Sequence, residues 1–312
     1  MSGDELPVCR AAQLELRADT YRWLVEDLWA EQAVGIVGGE PKCGKSFLAL
    51  ELALAVASGA PALRRFAVPH PGRVLLFAAE DPLTVVRERL EALAAAAGVD
   101  FESLDVHLIT QPVLRLDLDA DRRRLRRTVE RLRPRLLVLD PFVRLHRIDE
   151  NVAGEVAPLL ASLRTLQRQL HTAVLLVHHA RKNGDRVRPG QALRGSSELH
   201  AWGDSNLYLH RTSQGITLRA EHRAAPGLDA LSLELPGPAG LALRSSGELR
   251  PDPHAPDPAQ RIRDALAHAA GPLTRAQLRD ACRIRTQTLG EGLAALTAQG
   301  LVVQHGDRYA LA

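Results

Sequence analysis

One short run, Gly38-Gly39-Glu40-Pro41-Lys42-Cys43-Gly44-Lys45-Ser46, limits what this chain can fold into more than any other feature does. It fits the pattern G-x-x-x-x-G-K-[ST], with Gly39 and Gly44 as the fixed glycines. Before it, Val34-Gly35-Ile36-Val37 reads as a buried strand. After it, Phe47 to Ala57 is apolar almost all round, as a helix packed between a sheet and other elements would be. A strand, a glycine loop and a helix in that order let backbone N–H groups converge on a phosphate chain at the positive end of the helix. The segment from Gly39 to Phe47, with Glu40, Pro41, Lys42 and Cys43 inside it, is therefore the expected binding loop for a nucleoside triphosphate. Lys45 would reach the β- and γ-phosphates and Ser46 would hold Mg²⁺. No motif selects ATP over GTP.

The rest of the composition sharpens this reading. Of the 40 basic residues only Lys42, Lys45 and Lys182 are lysine. Arginine and lysine differ in shape and hydration, so lysines kept in an arginine-rich chain mark places where arginine would not serve. Two of them lie in the loop. Cys9, Cys43 and Cys282 are too scattered for a disulfide framework or a metal cluster, which fits a reducing cytoplasm. Cys43 reads as a small residue in a tight turn. No stretch reaches the roughly 18 unbroken apolar residues of a membrane helix, and the N-terminus lacks a signal-peptide pattern. A soluble, cytoplasmic protein without a membrane partner is the expectation.

Four segments are expected. Residues 1–33 form an entry segment in which Trp23, Leu24, Leu28 and Trp29 are spaced as one face of an amphipathic turn or helix, with Trp23 packing on the core. Residues 34–246 alternate strand and helix. Strands are expected at 73–79, 105–110, 136–139 and 173–177, and helices at 82–97, 119–132 and 152–170, followed by hairpin strands at 206–210, 216–220 and 231–235. This pattern predicts an α/β fold with a mainly parallel, doubly wound sheet and an antiparallel extension. Residues 247–258, with four prolines, read as a stiff linker. Residues 259–312 read as three helices and a closing hairpin, a winged helix-turn-helix of mildly basic character, with seven arginines against four acids from residue 258 onward.

Carboxylates have no packing reason to follow apolar strands. Asp140 suits the Mg²⁺-side position of a Walker B strand, and Glu80 suits the base that polarises the attacking water, with Asp81 as the fallback. His178 follows another apolar strand and suits a sensor of the γ-phosphate. The loop beyond it, residues 180–197, carries Arg181, Lys182, Arg186, Arg188 and Arg194 against the single acid Asp185, a charge balance suited to nucleic acid phosphate or to a neighbouring subunit's nucleotide.

These residues in this order resemble the RepA-like hexameric replicative helicases, a branch of the RecA-type ATPases. The resemblance runs from about Trp23 to His210. It rests on Gly39 to Ser46, Ala79-Glu80-Asp81-Pro82, Asp140-Pro141 with Arg144, His146, Glu150 and Asn151, His178-His179-Ala180-Arg181-Lys182, and Arg194-Gly195-Ser196-Ser197 with Asp204. It implies ATP hydrolysis between subunits of a homo-oligomeric ring, a hexamer in that family, with Lys45, Glu80, Asp140 and His178 in the roles above. It also implies single-stranded DNA in the channel, touched by the segments around Arg144 and Arg147 and around Arg181 to Arg194. In the family the arginine finger follows shortly after the residue that matches Asp204. Here Ser205-Asn206-Leu207-Tyr208 follow, which leaves Arg211, Arg194 or Lys182 as the trans-acting candidates.

Two functional classes follow. One is a DNA-acting ATP motor of the ring helicase or translocase kind. The other is a DNA-binding ATP switch, in which the winged helix meets duplex DNA and nucleotide controls assembly without unwinding.

Overall fold

The computed structural model describes residues 8–13, 23–179, 197–212, 215–234, 242–243, 258–269, 271–282, 286–306 and 308–311. By contact the chain divides into two compact units, Met1–Gly247 and Glu248–Ala312.

In the first unit the chain runs β1 (Trp23–Val25), β2 (Trp29–Ala30), β3 (Val34–Gly39), α1 (Lys45–Ser58), β4 (Val74–Ala78), α2 (Leu83–Ala97), β5 (Val106–Leu108) and α3 (Asp119–Leu132). It continues through β6 (Leu136–Asp140), α4 (Ala153–Leu170), β7 (Ala173–His179), α5 (Ser197–Trp202), β8 (Ser205–Thr212), β9 (Gly215–His222), β10 (Leu228–Glu234) and β11 (Ala242–Leu243). Among the described residues these build a nine-stranded sheet in the order β11-β10-β9-β8-β3-β7-β6-β4-β5. Strands β8, β3, β7, β6, β4 and β5 pair in parallel, and β8 to β11 form an antiparallel extension. The class is the α/β fold that the sequence predicts.

Strand alternation explains the three layers. On β4, β6 and β7, Leu76, Val138 and Leu175 join one buried cluster with α1 and α2, while Leu75, Leu137 and Leu176 join a second with α3 and α4. All six residues of β3 are buried, because strands flank it on both edges and helices cover both faces. The parallel register aligns Gly39 with His179 and Ala78 with Asp140, so the loops after these strands emerge together at one end of the sheet. That end is where ligands of such sheets bind.

The other end of β3 is a closed polar network. Asp204, just before β8, accepts from the backbone N–H of Val34 at 3.3 Å and pairs with Arg164 and with Arg223. The Ser205 hydroxyl accepts from Ala30 N at 3.0 Å, and Asn206 Oδ1 accepts from Ile36 N at 3.2 Å. Gly35 is the residue that allows β8 so close, since a Cβ there would lie 1.7 Å from the Ser205 carbonyl oxygen.

Of the two forms expected for the entry segment, a turn or a helix, the structure has the turn. Trp23, Leu24 and Trp29 lie on the short antiparallel strands β1 and β2, and Leu28 lies on the turn between them. Aromatic and β-branched residues at 23, 25 and 29 favour strand, and the spacing that imitates a helical face arises because the turn at 26–28 folds Leu28 back beside Leu24 in the core. Trp23 stands edge-on to His222, with ring centroids 5.0 Å apart.

The second unit contains α6 (Pro258–Ala267), β12 (Leu273–Thr274), α7 (Arg275–Cys282), α8 (Thr286–Ala298), β13 (Val302–His305) and β14 (Arg308–Leu311). Its own core gathers Ile262, Leu278, Leu289, Leu293 and Tyr309. A reciprocal cap starts α7: Gln277 N donates to the Thr274 hydroxyl at 3.3 Å, and Thr274 N donates to Gln277 Oε1 at 2.9 Å. Two details depart from the expected elements. Helix α6 begins at Pro258, inside the expected linker, since proline suits a first helical position. The hairpin gains a third strand, β12, on β14. Among the described residues no helix is long and apolar enough to cross a membrane.

Candidate active site

The phosphate-loop segment leaves the buried end of β3 and turns into α1 under tight steric limits. A Cβ at Gly39 would lie 2.4 Å from the Leu209 carbonyl oxygen of β8 and 2.7 Å from Cys43 Sγ, so only glycine fits. Gly44, with φ 91°, precedes α1 in the left-handed region. Lys42 holds a φ of 62° without being glycine, a local strain that the surrounding loop maintains. Cys43 is fully buried, and burial pushes its thiol pKa up, so it is a packed, unreactive residue.

These constraints bring groups from the ends of five strands, β3, β4, β6, β7 and β8, to one cavity of about 650 Å³. Its wall includes Pro41, Lys42, Gly44 to Phe47, Glu80, Asp81, Arg89, Asp140, His179 and Arg211. Lys45 is 5% exposed, and its Nζ donates to the Glu40 carbonyl at 2.7 Å. Burial lowers its pKa, against the pull of Cys43, Asp140, Glu80 and Glu40. Asp140 is pushed up to about 6, first by burial and then by Asp81 and Glu80, while the Ser46 hydroxyl bonded to it and the Lys45 charge work the other way.

Two acids follow β4 and have different partners. Asp81 is held by Arg89 of α2, Nη1 to Oδ2 at 2.5 Å, and the same guanidinium lies over Phe47 at 5.0 Å. Glu80 accepts from Arg144 Nε at 3.0 Å across the gap to the short 3-10 turn Phe142–Arg144 that follows β6. Of these two acids Glu80 is the more exposed.

His178 is a correction. Strand β7 extends two residues beyond its expected end, and alternation turns His178 away from the cavity, where it is buried edge-on to Phe142 with centroids 6.0 Å apart. His179, on the same face as Val177, lines the cavity instead. Counting alternate positions along β7 would have found it. Arg211, one of the three trans-acting candidates, lines this chain's own cavity, because β8 pairs with β3 through Leu209 and runs on past the glycine loop. Arg89 had no sequence signal, since its position depends on how α2 packs.

Of the expected nucleic-acid residues, Arg144 is engaged with Glu80 and Arg147 is exposed on the same loop. Arg181, Lys182, Arg186, Arg188 and Arg194 lie outside the described residues. Asp204 belongs to the closed network at the opposite end of β3.

The Ser46 hydroxyl and the Asp140 carboxylate, both on the cavity wall, supply oxygen donors that fit Mg²⁺, a hard cation that keeps several waters and shares substrate phosphates. The backbone turn with its constrained glycines and the buried ammonium of Lys45 fit a triphosphate.

A family model described as "AAA domain" matches residues 5–185. Among solved structures, the RadB recombinase is similar at 18% identity and a TM-score of 0.51, over 69% of this chain and 92% of that one. A DnaB-like replicative helicase, solved with its interactions with primase, is similar at 14% identity and a TM-score of 0.54, over 68% of this chain and 57% of that longer one.

Proposed function

We propose, from the premise that the chain belongs to the AAA-domain family and has the fold of RecA-type P-loop ATPases, that it hydrolyses ATP to drive work on DNA. The observation that carries the reading is the convergence of Lys45, Ser46, Asp140 and Glu80, from three strand ends, on one cavity. In this reading the loop N–H groups and Lys45 bind the β- and γ-phosphates, and Ser46 and Asp140 hold Mg²⁺, which neutralises phosphate charge when bound. Glu80 orients a water and takes its proton as the water oxygen bonds to the γ-phosphorus and the bridging bond to ADP breaks. His179 takes over the sensor position proposed for His178, and Arg211 stands as a cationic group of the same subunit. The likeness in fold to a recombinase and a replicative helicase, together with the RepA-like motif order, supports a homo-oligomeric, ring-forming motor on single-stranded DNA.

The second reading, a DNA-binding ATP switch, draws on the Glu248–Ala312 unit, whose three helices and small sheet fit a winged helix. Helix α8, which would enter the major groove, contains Glu291 and no lysine or arginine. That composition favours a partner-contact role for this unit and places the motor reading first.

Steady-state ATP turnover with and without single-stranded DNA tests both. A motor requires strong stimulation, abolished by Lys45→Ala and Glu80→Gln. Slow turnover indifferent to single strands would remove the motor reading and leave the switch.

A further inference from the structure

Beside the nucleotide cavity lies a smaller one of about 310 Å³, and Glu80 lines both. Its other polar walls are Arg115 and Arg144. Arg115 is fixed from several sides: its backbone N–H donates to Asp121 Oδ2 at 2.8 Å, and its Nη1 donates to the His146 carbonyl at 2.7 Å and the Arg144 carbonyl at 3.5 Å. Its Nε is buried and has no hydrogen-bond partner among the described residues. Arg115 therefore clamps the segment that carries Arg144 and lines the cavity beside it. Val113 and Val143, at the same two loops, are exposed apolar side chains.

Two guanidinium groups in a concave site match the geometry of a phosphate. Exposed apolar residues at its edge suit the sugar and base that accompany a phosphodiester. The one acid in the cavity, Glu80, competes for Arg144, with the Glu80 and Arg144 side chains 44% and 62% exposed. A pair this open gains little from its contact and exchanges readily.

We propose that this second cavity binds a phosphate group, and that its occupant takes Arg144 away from Glu80 and so releases Glu80 for the attacking water. In the resting arrangement Arg144 Nε donates to Glu80 Oε1, which engages one of the two carboxylate oxygens and so competes with a water for that group. Phosphate binding next door removes that competitor. The device is a gate linking an anion site to the catalytic acid, and it rests on the ATPase reading above. Arg144 acts here as a positioning residue. The same phosphate chemistry is available from a nucleic acid backbone or from free phosphate.

Linkage makes the proposal testable without turnover: if phosphate and Glu80 compete for Arg144, removing the charge of Glu80 must tighten phosphate binding. Binding of a fluorescein-labelled oligo-dT to the full chain, read by anisotropy, should be about three- to fivefold tighter for Glu80→Gln, the range expected from losing one exposed pair. Arg144→Gln should bind more weakly than wild type, and Arg127→Gln, the same charge loss on the exposed face of α3, should bind as wild type. In turnover, Arg144→Gln should raise the DNA-free rate about three- to fivefold and abolish further stimulation. Stimulation of the wild type by oligo-dT but not by millimolar inorganic phosphate assigns the site to a nucleic acid backbone, and stimulation by both assigns it to phosphate in either form. Unchanged oligo-dT and phosphate affinity in Glu80→Gln, or a wild-type rate and stimulation in Arg144→Gln, overturns the gate. Failure of the ATPase reading looks different: wild type and Lys45→Ala would bind a fluorescent ATP analogue equally.

Discussion

At the amino end of β3, Asp204, Arg164, Arg223, Ser205 and Asn206 answer one another's polar groups and those of the backbone. At the carboxyl end of the same strand, Lys45 is buried and Asp140 half-buried, both with pKa values displaced by desolvation, and Glu80 is held by a single exposed arginine. One strand thus joins a region whose charges form a closed network to one that keeps a desolvated ammonium and an open, exposed ion pair. The difference teaches that the amino end secures the fold, whereas the carboxyl end keeps binding capacity at some cost in stability.

Substitutions should separate the two ends. The largest effect is expected for Glu80→Gln, which should lower ATP turnover by about 10²- to 10⁴-fold while urea unfolding stays near wild type. A large loss of stability in this variant would erase the distinction. Asp204→Ala should do the reverse. It leaves the part-buried Arg164 without its carboxylate, so chemical denaturation should show a loss of about 3 kcal/mol, with turnover of the folded protein retained.

Asp140 gives a subtler contrast, because its loss should stabilise. Its folded pKa, about 6, lies above the ordinary 3.8. Between those values the folded state holds a proton that the unfolded chain has released, so this contribution is complete below the lower value and is lost as pH rises through the window. At neutral pH the ionised, half-buried carboxylate is a net cost, and Asp140→Asn should raise nucleotide-free stability by about 2 kcal/mol while abolishing turnover. A pH series of urea unfolding should show the acid-side slope in wild type and its loss in the variant. The smallest effect is expected at Trp202, whose Nε1 donates to the Leu160 carbonyl at 2.9 Å. Trp202→Phe should cost about 1 kcal/mol in the same assay and leave turnover alone.

Local chemistry made much of this legible beforehand. The glycine loop, its flanking strand and helix, and the alternation from β4 to β7 are properties of contiguous residues, and they carry the α/β class and the positions of Lys45, Ser46, Glu80 and Asp140. What sequence could not supply depends on residues far apart in the chain. Arg211 reaches the cavity because β8 lies beside β3, and Arg144 meets Glu80 because two loops from different strands converge. The short strands β1 and β2 escaped because a turn can give four apolar residues the spacing of a helical face. His178 and His179 differ only in strand parity, and one residue more of strand decides which of them meets the cavity.

The contact between Lys45 and the Glu40 carbonyl has a consequence for selectivity. The ammonium carries three N–H donors, and the loop's own main chain holds one of them. That bond limits where the other two can point, so they serve best a ligand that brings oxygens to both. By this requirement the loop should favour a phosphate chain over a monophosphate, even though the two share base and sugar.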